Sequence, residues 1–294
     1  MRLYHRQRLL LNFLAAAGGS LGRTDFQKLL FLYLRRERDP SYQFVPHKFG
    51  GFSFQSYADR DTLIHKGVLV AADDWVLSDQ GEQEIVPKTV SRIRAFLKDD
   101  VPERGTELMA RVYKEAPFLA CRSIIIEEVL PKKEDRAAVL ASRPNEEGRS
   151  LLSIGYEGDD IDGYLNRLVR YNVQTLVDVR RNPLSRKHGF SKRRLNEYCS
   201  AIDVAYLHLP ELGIPSERRR DLKTRADYDA LFAEYREQDL PKATAALEAI
   251  EVVLDAGNRP ALTCFEADPE FCHRLSVVDE LTRRLPDPPS VQHI

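Results

Sequence analysis

The sequence predicts a mainly helical, winged-helix-like domain followed by an α/β domain with a parallel-rich sheet and helices on both faces. Apolar residues recur at helical spacing through the first part of the chain, and residues 131–149 are charged and contain Pro and Gly. From residue 150, short apolar runs alternate with helical patterns. We therefore place the first domain at 1–130, a linker at 131–149 and the α/β domain at 150–294. A chain of 294 residues is long enough for both.

The N-terminal part predicts the element order of a winged helix. Helices are expected at 3–17, 25–37 and 53–66 because apolar side chains recur there every three or four residues. A short extended segment is expected at 43–49, and two short strands at 68–77 would form the closing hairpin.

Two segments of this half carry a resemblance. FQKLLFLYLRR and YQFVPHKFGGFSFQSYADRDTLIHKGVL are similar to winged-helix domains of prophage and toxin–antitoxin neighbourhoods. The resemblance implies that the domain binds DNA or a protein partner. The aromatic residues in these segments are equally typical of a hydrophobic core.

The C-terminal part predicts alternating strands and helices. Strands are predicted at 151–154, 173–179, 205–209 and 260–265, and helices at 161–171, 192–201, 226–237, 241–255 and 268–284. Such alternation predicts a parallel sheet, in which the carboxyl ends of the strands share one edge and ligands bind beyond that edge.

Polar clusters follow three of these strands, at 155–158, 178–183 and 264–274. Carboxylates and a histidine at such an edge can transfer protons, and two carboxylates are the minimum for glycosidic cleavage or for holding a divalent metal in a nuclease. Ion pairing of Asp178 with a nearby arginine is the structural alternative. The predicted catalytic residues are Asp178, Glu266, Glu157 and His273. The predicted substrate-binding residues are Gly155, Tyr156, Gly158, Arg180, Ser185, Arg186 and Arg274.

The arginines suit a phosphate group, and a helix beginning near Pro269 would add free N–H groups to the same anion site. Cys264, Cys272 and His273 have the spacing C-x₇-C-H, which lacks the second close pair of a typical zinc site. The sequence therefore predicts no metal, and it does not specify a cofactor.

The same clusters carry a second resemblance. SIGYEG, LVDVRRNPLSR, GFSKRRLNEY, YLHLPELG and LTCFEADPEFCHR, in this order, resemble the bacterial and archaeal family numbered 488 among domains of unknown function. The resemblance covers about 150–285 and implies a compact α/β domain. The neighbourhoods of that family imply nucleic-acid processing, DNA modification or phage defence.

Charge and composition narrow the function classes. The net charge is −1, but residues 1–50 and 180–225 carry excesses of six and seven positive charges, which favours anionic partners. No apolar run could span a membrane, and four scattered cysteines indicate a reducing, cytoplasmic environment.

Three functions stay open. The first is an enzyme that processes nucleic acid or nucleotides and that the winged helix delivers to its substrate. Within this class we rank a hydrolase of the DNA glycosylase type above a metal-dependent nuclease. The second is a non-catalytic DNA-binding regulator or sensor with a nucleotide-binding α/β domain. The third is an adaptor whose N-terminal domain binds a protein.

Overall fold

The computed structural model describes residues 2–145 and 148–294. The chain divides into two compact units, residues 1–143 and 144–294. The first unit contains α1 (His5–Ala16), β1 (Ser20–Leu21), α2 (Arg23–Glu37), α3 (Phe54–His65), β2 (Trp75–Val76), α4 (Asp79–Glu82), α5 (Pro87–Ala95), α6 (Gly105–Glu115), α7 (Ile126–Val129) and α8 (Lys133–Ala141). The described helices include none with the length and apolarity needed to cross a membrane.

The core of the first unit is built around aromatic side chains. Phe26 of α2 stacks on Trp75 of β2 with ring centroids 3.8 Å apart, and Phe13 of α1 contacts Phe26 edge to face. Trp75 is fully buried because β2 pairs antiparallel with β1, which places its ring over α2. The unit is thus a helical cluster with a small antiparallel sheet, and its assignment as a winged helix stays a prediction.

Part of the predicted linker at 131–149 is helical. Residues Lys133–Ala141 form α8, and buried Val139 packs in a small cluster with Tyr113 of α6 and Val129 of α7. The apolar side chain of Val139 explains why this charged segment folds onto the first unit.

The second unit is an α/β domain. Its elements are β3 (Ser150–Gly155), α9 (Ile161–Arg170), β4 (Thr175–Asp178), α10 (Lys192–Ala201), β5 (Ala205–His208), α11 (Arg225–Glu234), α12 (Thr244–Asp255), β6 (Pro260–Cys264), α13 (Arg274–Arg284) and β7 (Ser290–His293). The strands form one parallel sheet in the order β5-β4-β6-β3-β7. The predicted parallel sheet is confirmed.

Helices cover both faces of this sheet. On one face, the Tyr164 hydroxyl of α9 lies 2.7 Å from the Thr263 hydroxyl of β6. On the other face, Leu262 of β6 shares a core cluster with Leu247 of α12 and Val277 of α13. Every residue of the central strand β6 is buried, as expected for a strand covered twice.

The chain leaves the neighbouring strands β4 and β6 in opposite directions. After β4 it runs outward through α10 to β5, whereas after neighbouring β6 it runs through α13 toward β7 on the far edge. Such a switch in direction opens a crevice beyond the carboxyl ends of the two strands, where open α/β sheets bind their ligands.

Candidate functional site

A cavity of about 420 Å³ lies in this crevice. Its lining comes from the end of β6 and from the loops that follow β3, β4, β5 and β6. The lining residues are Tyr156, Arg180, Arg181, Asn182, Leu184, Ser185, Arg186, Ile214, Ser216, Arg219, Cys264, Phe265, Glu266 and His273. Segments widely separated along the chain therefore meet at one edge of the sheet.

Asp178 lies behind the cavity wall in a closed ion pair. Its carboxylate is fully buried and accepts hydrogen bonds from Nε and Nη2 of Arg180 at 2.8 and 2.6 Å. The Tyr206 hydroxyl donates to the same carboxylate at 2.5 Å. Burial acts to lower the pKa of Arg180, but the hydrogen bonds and charge of Asp178, together with the contact with Tyr156, outweigh burial and raise that pKa. Asp178 thus positions Arg180 and is itself shielded from the cavity.

Arg180 ties this ion pair to the aromatic wall of the cavity. Its Nη1 atom donates to the Tyr156 hydroxyl at 2.9 Å and to the Phe190 carbonyl at 2.8 Å. The Tyr156 ring stacks on Phe190 with centroids 4.3 Å apart. These contacts hold Tyr156 and Arg180 rigidly at the cavity surface.

Glu266 is the one carboxylate among the described lining residues. One of its oxygens pairs with Arg219, and the other, Oε2, is buried without a hydrogen-bond partner among the described residues. Burial raises the pKa of Glu266, and charge on Cys264 raises it further. Burial acts to lower the pKa of Arg219, but the charge and hydrogen bond of Glu266, together with charge on Cys264 and Cys272, outweigh burial and raise it.

Cys264, Cys272 and His273 form a buried cluster at the cavity floor. The Nδ1 atom of His273 lies 3.9 Å from the Sγ atom of each cysteine, and its Nε2 atom lies 3.1 Å from the Val179 carbonyl. A hydrogen bond with Cys272 lowers the pKa of Cys264, whereas burial raises that of Cys272. Burial acts to lower the pKa of His273, but the charge and hydrogen bond of Cys264 and the hydrogen bond to Val179 together outweigh it and raise the pKa.

The rim of the cavity is basic. Arg181 and Arg186 are exposed and line the opening, together with Ser185, whose hydroxyl accepts a hydrogen bond from the Lys187 amide at 3.1 Å. Arg180 and Arg219 also line the cavity, but each is paired with a carboxylate, so the exposed charges at the opening are those of Arg181 and Arg186. This balance of charge suits an anionic ligand.

Arg274 and Gly155 hold the loop after β6 in place. Arg274 is buried, and it donates to the Glu266 carbonyl at 2.5 Å and to the Ala267 carbonyl at 2.9 Å. A Cβ atom on Gly155 would lie 1.8 Å from the Glu266 carbonyl oxygen, so only glycine permits this approach. Arg274 and Gly155 therefore shape the site without lining it.

Two further predicted residues lie beside the cavity. The Glu157 carboxylate is exposed and accepts a hydrogen bond from the Ala267 amide at 3.1 Å. Gly158 has a φ of +83°, which allows the turn after β3. Of the four residues predicted as catalytic, the structure thus brings Glu266 and His273 into the cavity lining and places Asp178 and Glu157 elsewhere.

The helix expected to begin at 268 begins later. Asp268 caps a short 3₁₀ turn, Pro269–Phe271, and α13 begins at Arg274. The delay arises because Cys272 adopts an extended conformation, with φ −132° and ψ 135°, which turns its side chain toward the core. The predicted helix start at 268 was therefore wrong, and the helix terminus expected to contribute free N–H groups near Pro269 lies at Arg274 instead.

Sequence reasoning missed Arg219 and Tyr206. Both contact predicted site residues, Arg219 through Glu266 and Tyr206 through Asp178. The basic stretch 180–225 contained the signal for Arg219, but its position did not identify which arginine would reach the cavity.

Comparison with known proteins agrees with the second sequence resemblance. Residues 160–281 match the model of the family described as Domain of unknown function DUF488. The match covers the part of the chain from α9 to α13 and therefore most of the cavity lining. Searches of the curated proteins and of the solved structures gave no match.

Proposed function

We propose that residues 144–294 form an enzyme domain that hydrolyses a phosphate-bearing substrate, either a nucleotide or a nucleic acid. The observation that carries the proposal is that four arginines and a single, partly buried carboxyl group, Glu266, line one cavity at the switch point of the sheet. Guanidinium groups bind phosphate through paired donors, and the carboxyl group can transfer a proton to or from the reacting bond.

The arginines divide into two roles. Arg181 and Arg186 are exposed at the rim, where they can meet the phosphates of an incoming ligand. Arg180 and Arg219 are already bonded to carboxylates, so they shape the wall and add positive potential. Phosphate contacts of this kind position a substrate, whereas the chemistry falls to other groups.

Glu266 is the residue we propose for proton transfer. A cleavage mechanism with two carboxylates would need a second free carboxylate within about 10 Å. Asp178 is bonded to Arg180 and Tyr206, and Glu157 is bonded to the loop at Ala267. Glycosidic hydrolysis in this cavity would therefore use Glu266 twice. Its carboxyl group protonates the departing base, and the resulting carboxylate accepts a proton from the water molecule whose oxygen forms the new bond to the sugar carbon.

The test is incubation of the full chain with nucleotides and with modified and unmodified single- and double-stranded DNA, with and without Mg²⁺. Mass spectrometry distinguishes a released base from a shortened strand. We expect Glu266→Gln to lower the rate about 10²–10⁴-fold, which is the usual contribution of a positioned acid or base. Glu157→Gln, on the exposed neighbouring loop, is the matched control and should retain its rate.

A binding-only function predicts a different outcome. If the second unit is a nucleotide sensor, the wild-type chain will bind nucleotides but form no product under any condition. Arg181→Ala and Arg186→Ala will then weaken nucleotide binding. Turnover by the wild-type chain that persists in Glu266→Gln would reject the assigned role of Glu266.

For the first unit, we propose DNA as the partner, with a protein as the alternative. Part of the positive charge of this unit is already paired, because Arg6, Arg23 and Arg36 form ion pairs with Asp59, Asp73 and Asp100. Binding of the full chain to labelled duplex DNA, measured as a function of salt concentration, tests the proposal. Where phosphate contacts carry the binding, the logarithm of the binding constant falls linearly with the logarithm of the salt concentration. Co-purification of a protein without DNA affinity would favour the alternative.

A further inference from the structure

We propose that Cys264, Cys272 and His273 bind a zinc ion whose remaining coordination position faces the cavity. The ligand atoms of these three residues all lie within 4.8 Å of one another, and the residues are almost completely buried. Two thiolates and one imidazole form a donor set typical of zinc. This inference concerns binding and does not depend on the reaction proposed above.

The spacing of the ligand atoms fits a tetrahedral ion. Zinc lies about 2.3 Å from sulfur and about 2.0–2.1 Å from nitrogen, so tetrahedral angles place sulfur and nitrogen about 3.6 Å apart. The observed distances from His273 Nδ1 to the two sulfur atoms are both 3.9 Å. Movements of a few tenths of an ångström would therefore bring the nitrogen and each sulfur to tetrahedral spacing.

The orientation of His273 supports the same conclusion. Its Nε2 atom lies 3.1 Å from the Val179 carbonyl, which can only accept a hydrogen bond, so Nε2 carries the proton. Nδ1 of the neutral ring then presents its lone pair toward both sulfur atoms. Histidine ligands of metals commonly hold their second nitrogen in this way, through a carbonyl that fixes the tautomer.

Charge balance also favours metal binding in this buried place. When Zn²⁺ replaces the protons of the Cys264 and Cys272 thiols, two protons leave and the resulting centre is neutral. A neutral centre avoids the cost of leaving isolated charges in a site that is about 1% exposed.

The remaining position opens toward the proposed substrate. Cys264 and His273 line the cavity, as does Glu266, whose buried Oε2 atom has no hydrogen-bond partner in the described parts of the chain. A water molecule beside this oxygen would complete the coordination. A site with three protein ligands and one open position is the arrangement of catalytic zinc centres.

Sequence spacing hid this site. The separation C-x₇-C-H places two ligands side by side in the chain, which differs from the paired motifs of common zinc folds. Cys264 at the end of β6 reaches the other two because the 3₁₀ turn at Pro269–Phe271 returns the chain to the strand.

The test uses the full chain, purified with a reductant and stripped of metal, and Co²⁺ as a spectroscopic probe. We expect about one Co²⁺ per chain, with the intense visible bands of a tetrahedral site and a thiolate charge-transfer band. Zn²⁺ should displace these bands. Elemental analysis of chain expressed with added zinc should give the same stoichiometry.

Variants locate the site. Cys264→Ser and Cys272→Ser should each lower metal content at least tenfold, whereas Cys199→Ser, which alters a buried cysteine on α10, should retain it. His273→Cys preserves three ligands and should keep a shifted thiolate band. Failure of the reduced wild-type chain to take up Co²⁺ would overturn the proposal even if the variants do not fold. Retention of the wild-type spectrum by Cys272→Ser would do so as well.

Discussion

Replacing Asp178 with asparagine tests whether this residue supports the fold of the second unit. The carboxylate is fully buried and accepts two bonds from the Arg180 side chain, one from the Arg180 amide and one from Tyr206. Asparagine keeps the size of the side chain but leaves the Arg180 charge buried without its counter-ion. Breaking a buried pair in this way costs about 3–5 kcal/mol, which corresponds to a fall of roughly 6–20 °C in melting temperature.

The assay is thermal unfolding followed by far-ultraviolet circular dichroism. Glu211→Gln, an exposed carboxylate in the same unit, is the control and should melt as the wild type. The double variant Asp178→Asn with Arg180→Met should recover part of the loss, because it removes the charge that the single variant strands. Wild-type melting of Asp178→Asn, combined with loss of turnover, would refute this reasoning and return Asp178 to a catalytic role.

Three further predictions follow from single contacts. Burial lowers the pKa of Lys28 to about 7, so the unfolded state binds more protons above that pH. Stability of the first unit should therefore rise from pH 7 toward 10 by up to about 1.4 kcal/mol per pH unit, and Lys28→Met should abolish this slope in denaturant titrations. Tyr206→Phe removes one hydrogen bond to a charged group, so urea unfolding should show a loss of about 1.5–3 kcal/mol. Gly155→Ala forces a Cβ atom against the Glu266 carbonyl and should lower the free energy of unfolding by at least about 1–3 kcal/mol. In Gly158→Ala the added Cβ atom meets no neighbouring atom, so backbone strain alone should lower it by only about 1–2 kcal/mol.

The sequence was most informative where one physical signal dominated. Strands such as β3 and β6 are mostly apolar and buried throughout, and the alternation with helices indicated a parallel sheet correctly. The helix predicted at 192–201 matches α10 at both ends. The helical start near 268 was less predictable, because the conformation of Cys272 depends on distant residues that surround it in the fold.

Side-chain partners were harder to predict than positions. The sequence indicated that 156, 178 and 264–274 share one edge, but it left open whether Asp178 would be paired. Its partner Arg180 follows β4 directly, whereas Tyr206 lies on β5, and only the register of β4 against β5 brings Tyr206 within reach. The same holds for Glu266 and Arg219, which are 47 residues apart.

Trp75 gives a fluorescence signal that belongs to the first unit alone. It is the single tryptophan of the protein, and it is buried against Phe26 in the first unit. Its emission therefore reports on that half alone, while circular dichroism records both. If the two signals change at different temperatures, the halves unfold separately, and a ligand of the second half will move one transition and leave the other where it was.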